Sequence, residues 1–239
     1  NRQSIVEWPV RLLSYNIHKG IGGRDRRYRL DRIMRAIECE SPDIVCLQEV
    51  ASNLRRSRFD NQPALLTEWF KPATGIFQFN VRIRKGGYGN LLLSRWPFRS
   101  HHHLSVTRLR RKPRGAQFAV ILTPSGPLHL THWHLGLSER ERRWQTRYVL
   151  EHHLYREART LPSLIVGDSN DWRNKLASLR FEEYGFRQIT APPSRFRSFP
   201  AWLPVWSLDK AFARGAVNVT RVRIVRGRRS GRDLQHRRG

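Results

Sequence analysis

The chain has 239 residues, 39% of them hydrophobic, with 45 Lys and Arg against 19 Asp and Glu, a formal charge of +26. That length suits one large α/β domain that needs no disulfide or structural metal, and the absence of any run of about 18 apolar residues excludes a transmembrane helix. The charge favours polyanionic partners, nucleic acid or another phosphate-rich molecule, although only six of the basic residues are lysines, an arginine excess that a GC-rich genome also produces.

The first strand is expected over Val10–His18, where apolar residues give way to Asn16 and His18, and the loop Lys19-Gly20-Ile21-Gly22-Gly23 follows. From Arg29 to Glu40 the apolar residues Leu30, Ile33, Met34 and Ile37 recur at helical spacing. Ser41-Pro42-Asp43 breaks that helix, and Ile44-Val45-Cys46-Leu47 forms a buried strand running into Gln48-Glu49. A carboxylate there must be solvated, paired or holding a cation. Of the two cysteines, Cys39 and Cys46, the second lies inside the apolar run and reads as a buried reduced thiol, which leans towards a reducing compartment. No charged-then-apolar leader is visible, so the expected setting is the cytoplasm and the expected state a monomer.

A basic loop and a helix fill 53–70, and Phe77–Ile83 alternates as a strand. Gly86-Gly87-Tyr88-Gly89-Asn90 reads as a turn, either a plain hairpin connection or a backbone site near phosphate, before the strand 91–94. His101-His102-His103 is not a metal site, because neighbouring strand residues face opposite ways. Arg108, Arg110, Arg111, Lys112 and Arg114 form a basic cluster, a solvated loop or a phosphate-facing rim. Strands follow at Ala119–Leu122 and Leu128–His134, the second placing His132 and His134 on one face; a histidine pair there is more often structural than catalytic. Ser138 and Glu141 make a capping box for a helix carrying Arg142 to Arg156.

The stretch Leu164-Ile165-Val166-Gly167-Asp168-Ser169-Asn170-Asp171-Trp172 is a buried strand whose exit presents Asp168 and Asn170. It reads either as an Asx turn or as a site in which a carboxylate orients water and an amide donates to an oxyanion. A short helix over 176–184, an edge strand over 186–189, a segment Val205–Phe212 interrupted by Asp209, and a last strand over Val219–Val225 complete the domain. Residues 226–239, with six arginines, read as a disordered tail outside a domain of residues 1–225.

With Asn16, Glu49, His134, Asp168, Asn170 and Asp209 at strand ends in that order, the chain resembles the endonuclease/exonuclease/phosphatase superfamily, the deoxyribonuclease I-like fold. The resemblance rests on Ser14–Gly20, Cys46–Val50, Gly89–Arg95, His134–Leu137 and Gly167–Trp172. It implies a four-layer α/β/β/α sandwich of two mixed sheets, with the site at one end. It also implies a metal-dependent phosphoesterase in which Glu49 binds Mg²⁺ or Mn²⁺ with support from Asn16. Asp168 would orient or deprotonate the attacking water, Asn170 would donate to the phosphoryl oxygens, and His134 would contact the phosphate or assist the leaving oxygen. Asn16 and Asn90 are the expected substrate contacts, and Asp209 matches the acid that orients a second, C-terminal histidine. The substrate carries phosphate; whether it is nucleic acid or a small phosphoester is left open.

The ending departs from the family. Adjacent Ser-Asp-His and an apolar last strand are replaced by Ser230-Gly231-Arg232-Asp233-Leu234-Gln235-His236, so Asp233 and His236 have the right chemistry at the wrong spacing. Ser169 stands where an aromatic residue is common in the family. The alternative reading is therefore an impaired or truncated member that binds polyanions without turning them over.

Overall fold

The computed structural model describes residues 9–71, 74–178, 181–197 and 209–225. Strands β1 (Leu12–Asn16), β2 (Ile44–Ser52), β3 (Thr74–Ile83) and β4 (Gly86–Ser94) form one sheet in the order β1-β2-β4-β3. β5 (Phe98–Ser105), β6 (Gly115–Thr123), β7 (Gly126–His134), β8 (Ser163–Asp168), β9 (Phe186–Gln188) and β10 (Asp209–Arg214) form a second in the order β5-β6-β7-β8-β10-β9. Both sheets are mixed, with β1–β2 and β7–β8 parallel and the other pairs antiparallel.

Alternation along the strands divides the apolar residues among three cores, which is what stacks the layers. On β2, Val45 and Leu47 face outward to Leu30, Ile33 and Ile37 of α1 (Leu30–Glu40) and Leu66 of α2 (Gln62–Trp69). Ile44 and Cys46 face inward and meet Ala119, Ile121, Leu130 and Val166 of the second sheet. On that sheet's far face Trp133, Ile165 and Phe212 pack under Val149 and Leu150 of α3 (Glu139–Glu151) and Tyr155 of α4 (His153–Glu157). The result is the expected helix/sheet/sheet/helix sandwich.

Several local expectations change. The glycine-rich stretch is not a turn but the first half of β4, buried throughout. Its glycines serve close backbone approach: a Cβ on Gly89 would lie 1.7 Å from the Gln78 carbonyl oxygen, and one on Gly86 2.3 Å from that of Asn53. The helix expected over Arg142–Arg156 starts where Ser138 accepts from the Glu141 N–H, but His152 takes an extended conformation and divides it into α3 and α4. The described residues of 176–184 form no α-helix; 3-10 turns at Lys175–Ser178 and Phe181–Tyr184 stand there instead. Val219–Val225 pairs with no described strand, so its alternation of side chains is not answered by a ladder. Val205–Leu208 and the whole of 226–239, including Asp233 and His236, lie outside the described residues. Among the described residues no helix is long and apolar enough to cross a membrane.

The second sheet's register creates the site. Ser105 pairs with Gly115, Gly115 with His134, His134 with Asp168, and Asp168 with Asp209, a straight row across five strands at one end of the sandwich.

Candidate active site

Asn16 closes β1 at the same end of the first sheet. Its Nδ2 donates to Asp168 Oδ2 at 2.9 Å while its Oδ1 accepts from the His18 N–H at 3.1 Å, which fixes the amide's orientation. Glu49 reaches the cavity through a bulge: the β2–β4 register shifts between Leu47 and Val50, and Glu49 takes φ 56°. That left-handed backbone costs a non-glycine residue about 1 kcal/mol, and a bulge of this kind re-aims a side chain. The Glu49 carboxylate accepts from Lys19 Nζ and lies 3.9 Å from His18 Nδ1. Lys19 is itself held, its carbonyl accepting from Ser57 Oγ at 3.2 Å and Gln62 Nε2 at 2.8 Å.

Asp168, 5% exposed at the end of β8, accepts from the Asn170 N–H through Oδ1 at 2.9 Å; its Oδ2 is 3.7 Å from His134 Nε2. Asn170 tolerates φ 49°, as asparagine does, and one of its side-chain N–H groups ties the β8 exit to the β7 exit at the Leu135 carbonyl, 2.9 Å away. His134 accepts from the Arg114 guanidinium at Nε2, so it is neutral with its proton on Nδ1.

Burial raises the Asp168 carboxyl above its ordinary value, opposed by the hydrogen bonds from Asn16 and Asn170 and by the Arg114 charge. Burial also pushes Glu49 upward, but Lys19, His18 and Lys112 together outweigh it and leave Glu49 below the usual range. His134 is held well below its ordinary value, first by burial and then by the Arg114 and Lys112 charges. Two carboxylates of opposite tendency therefore face one cavity, the arrangement by which neighbouring acids take different roles.

The structure brings Asn16, Glu49, His134, Asp168 and Asn170 together. Asp209, half-buried, stands opposite Asp168 on β10. Asn90 occupies a different place: fully buried, it accepts from Asn80 Nδ2 at 3.0 Å and donates to the Gly115 carbonyl at 3.1 Å. It therefore clips β4 to the start of β6, one residue beyond Arg114. His132 lies between the sheets, its Nε2 2.7 Å from Gln48 Nε2 and its Nδ1 2.9 Å from Gln117 Oε1, a structural bridge. Ser169 has an internal partner as well, accepting from the buried Trp133 indole at 3.1 Å.

Arg114 is the residue that sequence reading did not separate from its neighbours. It is 4% exposed while Arg110, Arg111 and Lys112 are exposed, and its guanidinium feels both Asp168 and Glu49. The available signal was its position between Pro113 and the apolar strand starting at Gly115, the one basic residue of the cluster that the strand draws inward. Arg142 is a second such residue: 3% exposed, it donates to the Leu137 carbonyl at 2.6 Å and lies 3.6 Å from Asp171, bracing both strand exits.

Among the described residues no three His, Cys, Asp or Glu side chains converge as a metal cluster. Glu49 nevertheless holds a cationic group, Lys19, and it shares the cavity with the Asn16 amide. One carboxylate with an amide oxygen fits Mg²⁺ or Mn²⁺, which accept few protein ligands and keep several waters; it does not fit zinc.

Residues 13–230 match the Endonuclease/Exonuclease/phosphatase family. The protein YbhP of Escherichia coli K12, uncharacterized, is 30% identical over 220 residues, 88% of this chain and 87% of its own length. An endonuclease/exonuclease/phosphatase from Beutenbergia cavernae superposes with a TM-score of 0.71 at 20% identity; the match covers 87% of this chain and 64% of that one, less than two thirds of its length. The mannosyl-6-phosphatase Bt3783 of Bacteroides thetaiotaomicron has a TM-score of 0.66 at 15% identity, with 87% and 86% of the two chains covered. The human Nocturnin catalytic domain, solved with bound sulfate, has 0.65 at 19%, with 86% and 82% covered. Sequence match, layer order and the strand-end row agree, and the chain belongs to the endonuclease/exonuclease/phosphatase family.

Proposed function

We propose that this chain is a metal-dependent phosphoesterase hydrolysing phosphodiester or phosphomonoester bonds. The family's members are phosphoesterases and nucleases. The observation that carries the proposal is the buried Asp168 carboxylate, held by Asn16 from one sheet and by Asn170 from the other. A carboxylate so oriented and raised toward neutrality can take a proton from water.

In this reading Asp168 accepts the proton of the attacking water, and Asn16 and the Asn170 N–H keep its oxygens aimed. Arg114 and the second side-chain N–H of Asn170 meet the charge that develops on the phosphoryl oxygens. His134, neutral, positions Arg114 and lines the cavity beside the phosphate. Glu49 and Asn16 would hold Mg²⁺ or Mn²⁺, which supplies charge neutralisation at the phosphate when bound. Asp209, opposite Asp168 in register, matches the acid that orients a second histidine in the family. The substrate is a phosphate-bearing molecule, nucleic acid or a smaller phosphoester, and the working unit is a monomer.

The test is hydrolysis of a generic phosphodiester and a phosphomonoester by the purified chain, with Mg²⁺, with chelator, and as Asp168→Ala. Metal-dependent turnover that Asp168→Ala abolishes is the expected result. A wild type no faster than Asp168→Ala would overturn it and leave a phosphate-binding protein without turnover.

A further inference from the structure

Nine large hydrophobic side chains are exposed among the described residues, and five of them stand at the site end, Phe59, Leu109, Leu137 and Trp172 on loops and Ile83 at the end of β3. Their placement follows from the topology. The loop after β2 carries Phe59, and the β3–β4 hairpin next to it carries Ile83; Asn53 Nδ2 clasps the two at the Lys85 carbonyl, 3.2 Å away. The β5–β6 loop carries Leu109, and the exits of β7 and β8 carry Leu137 and Trp172, all beyond the row that holds His134 and Asp168.

Single exposed hydrophobics are ordinary on a protein surface, but segregation to one end is not. Leu109 is 86% exposed and Phe59 62%, and both have left-handed backbones, φ 49° and 61°, that an L-residue rarely adopts. Packing within the chain accounts for neither. Four of the five tips are also flanked by cations: Arg58 precedes Phe59, Arg82 and Arg84 surround Ile83, Arg108 and Arg110 surround Leu109, and Arg173 follows Trp172. The acids nearby are already engaged, Asp25 by Arg32 at 3.0 Å, Asp60 by Tyr28 at 2.6 Å and Glu139 by Arg143 at 3.1 Å.

We propose that this end of the sandwich docks on an anionic lipid surface, its apolar loop tips entering the headgroup layer and its arginines meeting the lipid phosphates. Apolar side chains in a basic setting are the composition of interfacial membrane contact. Nucleic acid accounts for the charge and could stack on Phe59 and Trp172, but it does not account for Ile83, Leu109 and Leu137, which have no π-face on which a base could stack. Docking this way turns the cavity with Asp168 and Arg114 toward the headgroups, a consequence that rests on the phosphoesterase reading; the binding itself does not.

The experiment is co-sedimentation of the full chain with phosphatidylglycerol/phosphatidylcholine vesicles, in low salt and in about 0.5 M NaCl, where screening removes most of the exposed-charge contribution. Wild type is expected to retain binding in high salt, Phe59→Ser/Leu109→Ser to lose at least about tenfold, and Leu122→Ser, at the opposite end, to bind as wild type. Thermal melts establish that the variants fold. The proposal is overturned if no salt-resistant binding occurs, if the double variant binds like wild type, or if salt-resistant binding is found for a single-stranded oligonucleotide instead of vesicles. Each result stands whether or not the chain hydrolyses any phosphoester.

Discussion

Asn16 and Asp168 are 152 positions apart in sequence, on different sheets, and joined by one hydrogen bond of 2.9 Å from Nδ2 to Oδ2. The bond links the layers at the point where the candidate base must be held. Asn16 favours the ionised carboxylate, opposing the burial that raises its pKa. In Asn16→Ala the carboxylate loses that donor and its pKa rises further, so the acid limb of kcat/KM moves to higher pH. At pH 7 the rate drops by about 10- to 100-fold. A pH–rate profile in saturating metal checks this, and an unmoved acid limb would show that Asn16 does not act through Asp168.

Asp168→Asn separates stability from activity. Because burial raises the folded carboxyl's pKa, the folded chain holds this proton more tightly than the unfolded chain does. Stability from this group is therefore full at low pH and falls as pH rises through the folded value. Asparagine removes that penalty while keeping one acceptor oxygen. The expected outcome at pH 7 is a melting temperature about 2–4 °C higher together with a rate about 10²–10⁴-fold lower, and a stability difference that fades towards pH 4. Calorimetry at both pH values decides it.

Acid should unfold this protein early. Burial pushes His132 down to about 3 and His129, with the Arg214 charge adding to burial, down to about 4. The unfolded chain binds protons at these histidines near pH 6.5, so stability is lost as pH falls from there toward the folded values. His134 is held below its ordinary value as well, and with three such groups the slope approaches about 4 kcal/mol per pH unit between about pH 6 and 4. Urea denaturation at half-unit steps measures it, and His129→Phe is expected to remove about a third; a flat profile would refute the assignment.

Gly89→Ala tests the role of the glycines in β4. The new methyl group meets the Gln78 carbonyl oxygen at 1.7 Å, a backbone atom that cannot yield without moving the strand. We expect a loss of about 3 kcal/mol or more, or failure to fold, read by thermal or urea melts. A neutral variant would mean that the β3–β4 ladder is looser than drawn.

Legibility in the sequence follows from how local each signal is. Asn16, Glu49, His134, Asp168 and Asn170 stood out because each follows closely on an apolar run, and the end of such a run is written in a few consecutive residues. The glycines of 86–90 misled because glycine signals a turn and a close approach with the same letter, and only the opposing Gln78 and Asn53 carbonyls distinguish them. His152 breaks the long helix without proline or glycine, so nothing in its periodicity marks the division. Arg114 was hidden among exposed cations because its partners, His134 and Asp168, are far along the chain. The five apolar tips share no signal in the sequence, since only strand register places them at one end.

The row from Ser105 through Asp209 also sets what this protein can tolerate in length. Side chains alternate with a period of two, so deleting a single residue inside β7 or β8 would turn His134 or Asp168 away and bring Trp133 or Leu135, or Gly167 or Ser169, into its place. Segments beyond the row carry no such parity. The β5–β6 connection ahead of Arg114, which meets His134, and the segment after Asp171, which meets Arg142, can change length without this constraint of parity. New specificities are therefore most readily reached by insertion and deletion in these connections rather than by substitution in the strands.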